Sequence, residues 1–189
     1  MWPSPKKLPG SRVSLWPLTH GHAKALAQAT VAGPFSPEGC KTPVRHDMAG
    51  EISYRLERQA DGLSLTYAVQ SRSTRWIGWA SYSRIDRAHK KLEIGDVWLA
   101  CQDPKSYNQT MISLFEHAFE NARANTVQIK AVASNTALRA RIENLGASLD
   151  GILRNEIVAK NGEPQDVALY SIIKTEWPEI SKSICAKLL

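Results

Sequence analysis

Residues 92–133 read LEIGDVWLACQDPKSYNQTMISLFEHAFENARANTVQIKAVA, and this stretch decides the fold. Leu92 and Ile94 alternate with Glu93, which predicts a strand over residues 92–100. Apolar side chains then recur at intervals of three and four residues, which predicts a helix over residues 106–124. Residues 126–133 alternate again and predict another strand. This succession indicates a sheet that is covered by helices.

The pattern continues on both sides of this stretch. On the N-terminal side the sequence predicts strands over residues 12–18, 63–70 and 75–85, helices over residues 20–32 and 51–59, and a loop over residues 35–49. On the C-terminal side it predicts a helix over residues 135–145, strands over residues 147–160 and 165–173 joined at Asn161-Gly162, and a helix after Pro178. The expected fold class is α/β, with one mixed, mostly antiparallel sheet of about seven strands and helices on both faces.

Length and composition bound the domain count. The chain has 189 residues, of which 43% are hydrophobic, and this is enough for one sizeable core. We expect a flexible N-terminal extension over residues 1–10 and one domain over residues 11–189. No apolar run approaches the ~18–20 residues that a membrane span needs. A secretory signal is also missing, so we expect no membrane association and a cytoplasmic location.

The cysteines and histidines argue against disulfide and metal sites, and the net charge indicates the kind of ligand. Three separated cysteines fit free thiols, and the histidines show no metal-ligand spacing, so no metal is expected. The net charge of +6 fits an acidic ligand such as a phosphorylated cofactor. Trp76 and Trp79 are three residues apart, which predicts opposite faces of one strand. Together with the missing RNA-binding signatures, this argues against nucleic-acid binding.

Several segments in order resemble the GNAT superfamily of acetyl-CoA-dependent N-acetyltransferases. They are RVSLWPLTHGHAKAL, IGWASYSRID, LEIGDVWL, HAFENARANTVQIKAVASN, NLGASLDGILR, DVALYSII and EWPEI, and they span residues 12–180. The chain is most similar to the RimJ/RimL-type branch, which acetylates the N-termini of ribosomal proteins. The resemblance implies a GNAT fold in which the fourth and fifth strands splay apart. It also implies acetyl transfer to a primary amine by direct attack in a ternary complex.

The resemblance implies three candidate catalytic residues. Glu93 is the first candidate for the general base and Asp96 the second, since related enzymes place carboxylates on this strand near the amine. Many relatives use a tyrosine as the acid for the leaving thiolate, and Ile142 stands at that position here. Tyr170 is a possible substitute. Each of these residues also has an ordinary structural interpretation, as a surface or paired carboxylate or as a core aromatic.

The resemblance also implies the residues that bind acetyl-CoA. The backbone of the fourth strand would hold the pantetheine, at Gly95, Val97, Trp98 and Leu99. The start of the following helix would hold the pyrophosphate, at Lys105, Ser106, Tyr107 and Asn108. Asn135 would contact pantetheine, cap its helix, or do both. Arg139 would meet the adenosine phosphates or belong to a solvated face.

The phosphate-binding turn departs from the family pattern. Most members have a turn of the type Q/R-x-x-G-x-G/A, whereas this chain reads CQDPKSYNQT without glycine and with an additional carboxylate at Asp103. Three functions stay open: an active acetyltransferase, a GNAT-fold binding or regulatory protein that has lost catalysis, or an RNA-associated basic domain. The acceptor, either a protein N-terminus or a small amine, also stays open. Homodimers are common in the family.

Overall fold

The computed structural model describes residues 2–32, 47–100, 103–159 and 161–188. The strands are β1 (Val13–Pro17), β2 (Leu65–Ser71), β3 (Trp76–Asp86), β4 (Lys91–Leu99), β5 (Thr126–Val132), β6 (Ser148–Val158) and β7 (Pro164–Ile173). The α-helices are α1 (Ala23–Ala29), α2 (Met48–Ala60), α3 (Pro104–Glu116), α4 (Thr136–Asn144) and α5 (Trp177–Leu188). Short 3-10 helices flank α1, and α3 runs on as a π-helix over His117–Asn121. The predicted order is confirmed, while most of the loop predicted over residues 35–49 lies outside the described residues.

The strands form one seven-stranded sheet in the order β1-β2-β3-β4-β5-β7-β6. Each neighbouring pair is antiparallel except β4 and β5, which run parallel because α3 connects them. The hairpin between β6 and β7 turns at Gly162, whose φ of 86° favours glycine. The predicted mixed, mostly antiparallel sheet is confirmed.

Helices cover both faces of the sheet, as predicted. The main core lies on the α3 face and includes Leu92, Ile94, Leu114 and Phe115. The second core lies between the sheet and the helices α1 and α2, and includes Leu26, Ile52, Trp79 and Trp98. Successive residues of β4 therefore supply side chains to different cores, as strand alternation requires.

A β-bulge in β3 places Trp76 and Trp79 on the same face of the sheet. The register between β2 and β3 shifts next to Gly78, whose φ is 151°. Trp79 belongs to the second core, and Trp76 packs against it. The prediction of opposite faces was wrong, because an extra residue in a strand interrupts its alternation.

The segment before β1 lies against the domain. Trp2 Nε1 donates a hydrogen bond to the backbone oxygen of Ala122 at 2.8 Å. Leu8 is 5% exposed and exchanges two backbone hydrogen bonds with Leu15. The stretch expected to be a flexible extension thus contacts the domain at Trp2 and Leu8, while residues 4–7 between them are exposed.

Candidate active site

The strands β4 and β5 part half-way along their length. They pair from Lys91↔Thr126 to Ile94↔Ile129, where their pairing ends. Beyond this point β4 stays paired with β3, and β5 with β7. Backbone N–H and C=O groups of β4 that face β5 are left without a strand partner there. This opening, the β4–β5 gap, confirms the predicted splayed pair and offers a polar backbone edge to a ligand.

A second β-bulge lies in β4 where the gap begins. The register with β3 passes from Ser81↔Gly95 to Trp79↔Trp98, so β4 holds one more residue than β3 over this interval. Asp96 has a φ of 51°, a conformation that residues other than glycine adopt rarely. Because a bulge bends and twists its strand, the backbone that follows Asp96 leaves the regular register of the sheet.

The residues predicted to hold pantetheine present their backbone to the gap. The side chains of Val97 and Leu99 are buried in the main core, and that of Trp98 is buried in the second core. A Cβ atom at Gly95 would meet Ser83 Oγ at 3.1 Å, which is a tight contact. A ligand that binds along this stretch of β4 would therefore contact main-chain atoms and not side chains. Its binding here remains a prediction.

Glu93, the first candidate for the base, is largely buried beside two cations. It lies between the buried residues Leu92 and Ile94, and its own side chain, 12% exposed, is on the other face of β4. Burial raises the pKa of Glu93, and the nearby charges of Lys130 and Arg84 offset part of this rise. Among the described residues, its Oε2 atom has no hydrogen-bond partner. This oxygen is buried and lies within 4 Å of the Arg84 and Lys130 cations, and its role as the base remains a prediction.

Glu156 joins Glu93 in a charged cluster that the sequence did not predict. Lys130 Nζ donates to Glu156 Oε1 at 2.7 Å and lies 3.9 Å from Glu93 Oε2. Arg84 bridges the same carboxylates, at 3.5 Å from Glu93 and 3.6 Å from Glu156. The hydrogen bond from Lys130 lowers the pKa of Glu156. The cluster joins β3, β4, β5 and β6, and residues so far apart in sequence leave no local pattern.

Asp96, the second candidate for the base, is already paired. Arg55 of α2 donates from Nη1 to Asp96 Oδ2, and its Nη2 lies 3.6 Å from Glu51 Oε2. The Arg55 side chain is 10% exposed, and its guanidinium carbon lies 4.1 Å from the centre of the Trp79 ring. Asp96 and Glu93 are thus both ion-paired: Asp96 accepts a hydrogen bond from Arg55, and Glu93 lies 3.5 Å from Arg84 without a hydrogen bond to it. Glu93 remains the first candidate for the base, and this assignment remains a prediction.

The N-terminus of α3, predicted to receive the pyrophosphate, is capped by Asp103. Its carboxylate accepts hydrogen bonds from the backbone N–H groups of Lys105 and Ser106 at 3.1 Å each, and from Ser106 Oγ at 2.7 Å. These bonds, that of the Ser106 hydroxyl first, lower the pKa of Asp103. An anion thus already holds N–H groups at this helix end. The preceding residues 101–102 lie outside the described part of the chain.

The other residues predicted at this helix end have different surroundings. Tyr107 is buried in the main core, and Lys105 is exposed. Asn108 lines a cavity of about 140 Å³ between α3 and α4, together with Arg141. Arg12 and Arg72 line a second cavity at this helix end, together with Asp103 and Ser106.

The structure brings Tyr170 and Arg139 together, although they were predicted for different roles. The Tyr170 hydroxyl accepts a hydrogen bond from Arg139 Nε at 2.8 Å and donates one to Glu143 Oε1 at 2.7 Å. Burial raises the pKa of Tyr170. Arg139 also donates to the backbone oxygen of Ala133 at 3.1 Å. These bonds hold α4 against β7 and engage both residues within the protein.

Asn135 caps α4. Its Oδ1 atom accepts a hydrogen bond from the backbone N–H of Leu138 at 3.0 Å. The prediction that Asn135 caps its helix is therefore confirmed. The same side chain keeps an amide Nδ2 donor, and its contact with pantetheine remains a prediction.

Among the residues that the structure describes, no group of three or more His, Cys, Asp or Glu side chains could hold a metal ion. None of the described helices is long and apolar enough to cross a membrane.

Known proteins share both the sequence pattern and this architecture. Residues 12–148 match the family model of the acetyltransferase (GNAT) domain. The Bacillus subtilis (strain 168) protein "Putative ribosomal N-acetyltransferase YdaF" is 31% identical over 102 residues, 53% of this chain and 55% of that protein. The matched part of the chain thus spans about half the length of this curated relative.

Solved structures share the fold at lower identity. A GCN5-related N-acetyltransferase from Brucella melitensis has a TM-score of 0.87 at 23% identity, covering 99% of this chain and 87% of that one. RimL, the ribosomal L7/L12 alpha-N-protein acetyltransferase, has a TM-score of 0.74 at 17% identity, covering 89% of this chain and 94% of that one. Likeness at this level of identity shows a common fold.

Proposed function

Because this chain belongs to the GNAT acetyltransferase family, we propose that it transfers an acetyl group from acetyl-CoA to a primary amine. The observation that supports this most directly is the β4–β5 gap, with the buried carboxylate of Glu93 beside it. One element offers a backbone edge for the donor, and the other offers a base for the acceptor. Acetyl-CoA would supply an acetyl group on a thioester, whose carbonyl carbon the deprotonated amine attacks; the C–S bond breaks, and the CoA thiolate leaves with the second proton of the amine.

The gap fits the pantetheine arm of acetyl-CoA. This arm is narrow and contains amide groups, so it can exchange hydrogen bonds with an unpaired strand edge. Pairing between β4 and β5 ends at Ile94, and main-chain atoms of residues 95–99 follow. Gly95, Val97, Trp98 and Leu99 are therefore proposed to hold the arm by their backbone. A backbone N–H of this stretch can also donate to the negative charge that develops on the acetyl oxygen.

Glu93 is proposed to take the proton from the acceptor ammonium. A raised pKa makes the carboxylate a stronger base than an exposed glutamate, which brings it closer to an α-amine with a pKa of ~7.7–8.0. Lys130 and Arg84 limit this rise. Glu156 holds Lys130 by a hydrogen bond and so fixes one of the two cations beside Glu93.

The fit is weaker at the phosphate end. The carboxylate of Asp103 holds the N–H groups of Lys105 and Ser106, where the family binds pyrophosphate. Lys105 and Asn108 at the helix, and Arg12 and Arg72 across the adjoining cavity, are the polar side chains proposed to meet phosphate oxygens, with Arg139 engaged at Tyr170. We therefore propose that acetyl-CoA binds mainly through its pantetheine arm and more weakly through its phosphates.

The acceptor is proposed to be the α-amine of a protein N-terminus, with a small amine as the alternative. The names of YdaF and RimL both refer to ribosomal proteins, and that of RimL to an α-amine. An α-amine also loses its proton more readily than a lysine side chain, whose pKa is ~10.4. The separated cysteines fit a reducing compartment, so we place the reaction in the cytoplasm.

We further propose that the protein forms a homodimer through β6. This edge strand exposes apolar side chains, with Ile152 43% and Val158 72% exposed. Antiparallel pairing of two copies about Ile152 would set Asp150 of each copy opposite Arg154 of the other, and this charge match favours self-pairing. Light scattering should give twice the chain mass, and Arg154→Asp should halve it. A monomeric wild-type protein would overturn this proposal.

Calorimetric titration with acetyl-CoA, and with CoA for comparison, tests the proposed function. We expect micromolar binding, followed by acetylation of N-terminal peptides in preference to small amines. Binding without transfer to any amine, or no binding at millimolar acetyl-CoA, would instead support a GNAT-fold protein that has lost catalysis. The Asp103 carboxylate at the phosphate end supports this alternative, because it already holds the N–H groups there.

A further inference from the structure

The bulge of β4 is anchored from outside the sheet by Arg55. This residue lies on α2, on the face of the sheet opposite α3, and its guanidinium donates to the carboxylate of Asp96. Asp96 is the bulge residue with a φ of 51°. The side chain of the extra residue in β4 is therefore tied to a neighbouring helix.

Arg55 is itself held on several sides. Its side chain is 10% exposed, and its guanidinium carbon lies 4.1 Å from the centre of the Trp79 ring. This is the distance of a cation–π contact, which attracts the guanidinium to the ring face. Glu51, one helical turn earlier on α2, lies 3.6 Å from its Nη2 atom. Trp79 in turn packs against Trp98 of β4, with ring centres 5.0 Å apart. The guanidinium thus has one position, and it fixes Asp96 relative to the second core.

The bulge at Asp96 lies directly before the backbone that is proposed to bind acetyl-CoA. Asp96 comes two residues after Ile94, where β4 loses its partnership with β5. A strand that is paired on one side only is free to shift, and a residue at positive φ costs backbone energy unless its surroundings hold it. Residues 97–99 follow at once, and their backbone is the edge proposed to hold the donor.

We propose that Arg55 is a positioning residue for acetyl-CoA: it holds Asp96 and so fixes the bulge that sets the backbone of residues 97–99 for binding. This inference rests on the proposed function, because it assigns the same strand edge to the donor. Arg55 acts through Asp96 and does not itself touch the ligand.

A purely structural ion pair is the competing interpretation. Breaking a buried pair destabilises a protein by leaving an unpaired charge, whatever the ligand does. Under that interpretation, acetyl-CoA affinity of the folded variant should stay at the wild-type value. Under ours, affinity should fall even when the variant is fully folded. The two interpretations separate when binding is measured well below the melting temperature of each variant.

The experiment compares Arg55→Met, Asp96→Asn and the double variant by calorimetric titration with acetyl-CoA and by thermal melting. Asn tolerates positive φ, so Asp96→Asn removes the charge while keeping the backbone conformation accessible. We expect each single variant to lose roughly tenfold to 100-fold in affinity, as for a displaced binding group. The double variant should lose no more than the single ones, because both residues act through one bond.

Two control variants isolate the effect. Arg58→Met removes the next arginine of α2, which lies 5.7 Å from the ring of the exposed Tyr54, and should leave affinity unchanged. Ile52→Val weakens the second core without touching the ion pair and should lower only the melting temperature. Arg55→Lys keeps the charge and should recover part of the affinity, and it provides a folded variant if Arg55→Met does not fold.

The outcomes are distinguishable from failure of the proposed function. If wild-type protein binds acetyl-CoA and the folded Arg55 and Asp96 variants bind it equally well, the positioning role is overturned and the proposed function stands. If wild-type protein does not bind acetyl-CoA, the proposed function fails and this inference fails with it.

Discussion

The two ends of the proposed acetyl-CoA site differ in how the fold builds them. At the β4–β5 gap, the strands part and leave backbone groups without a partner. At the N-terminus of α3, the carboxylate of Asp103 accepts hydrogen bonds from two N–H groups and a hydroxyl. The first end is open to a ligand, whereas the second is satisfied by the protein itself.

This difference separates two contributions to binding that most GNAT members combine. Sheet topology produces the gap, so it persists through changes of side chain as long as the parallel pair and its bulge remain. The anion site depends on a few residues of one turn, and a single carboxylate can fill it. Loss of the glycine-rich turn therefore weakens one end without removing the other.

The largest effect is expected from Glu93→Gln, which tests whether the gap end is catalytic. The amide cannot accept the proton, so turnover should fall by roughly 10²–10⁴-fold, while acetyl-CoA affinity stays close to wild type. Steady-state kinetics with an N-terminal peptide and calorimetry with acetyl-CoA measure the two quantities separately. Unchanged turnover would remove Glu93 from the mechanism.

The pH profile gives an independent check on the same residue. Burial raises the pKa of Glu93, so its carboxylate is protonated, and unable to act as a base, up to a higher pH than an exposed glutamate. Turnover should therefore rise with pH through this raised pKa. Glu156→Gln is the matched control, because it leaves the carboxylate of Glu93 in place and should reduce turnover less.

A smaller effect is expected from Asn135→Ser, which tests the opposite side of the gap. Serine caps a helix about as well as asparagine, so stability should change little. The variant lacks the Nδ2 donor, and acetyl-CoA affinity should fall by roughly tenfold for one lost hydrogen bond, or ~1.4 kcal/mol. Asn135→Ala should show the same loss of affinity together with a lower melting temperature. Wild-type affinity in the serine variant would limit Asn135 to its cap.

The fold could be predicted from sequence because its signals are local. The helix around Phe115 and the hairpin at Asn161-Gly162 follow from apolar spacing and turn chemistry alone. The face of the sheet on which Trp76 and Trp79 lie could not be predicted from the sequence, because a bulge depends on how two strands pair.

The site was predictable only in part, for the same physical reason. Alternation alone correctly placed Glu93 on the face opposite Leu92 and Ile94. The pairing of Asp96 with Arg55 joins residues 41 positions apart, and that of Lys130 with Glu156 joins residues 26 positions apart. Tertiary packing creates such pairs, and composition or spacing within one element does not reveal them.

The smallest effect, and a gain, is expected from Asp103→Asn at the phosphate end. Asparagine keeps the helix cap, so the melting temperature should hold. Removing one negative charge near the phosphates should raise acetyl-CoA affinity several-fold, or ~1 kcal/mol, and the gain should shrink at high salt. Calorimetry at two salt concentrations measures both effects, with Asp61→Asn at the exposed end of α2 as the charge-matched control. Unchanged affinity would mean that the phosphates bind away from α3. The ligand would then follow the gap at one end of the site and leave the helix N-terminus unused at the other.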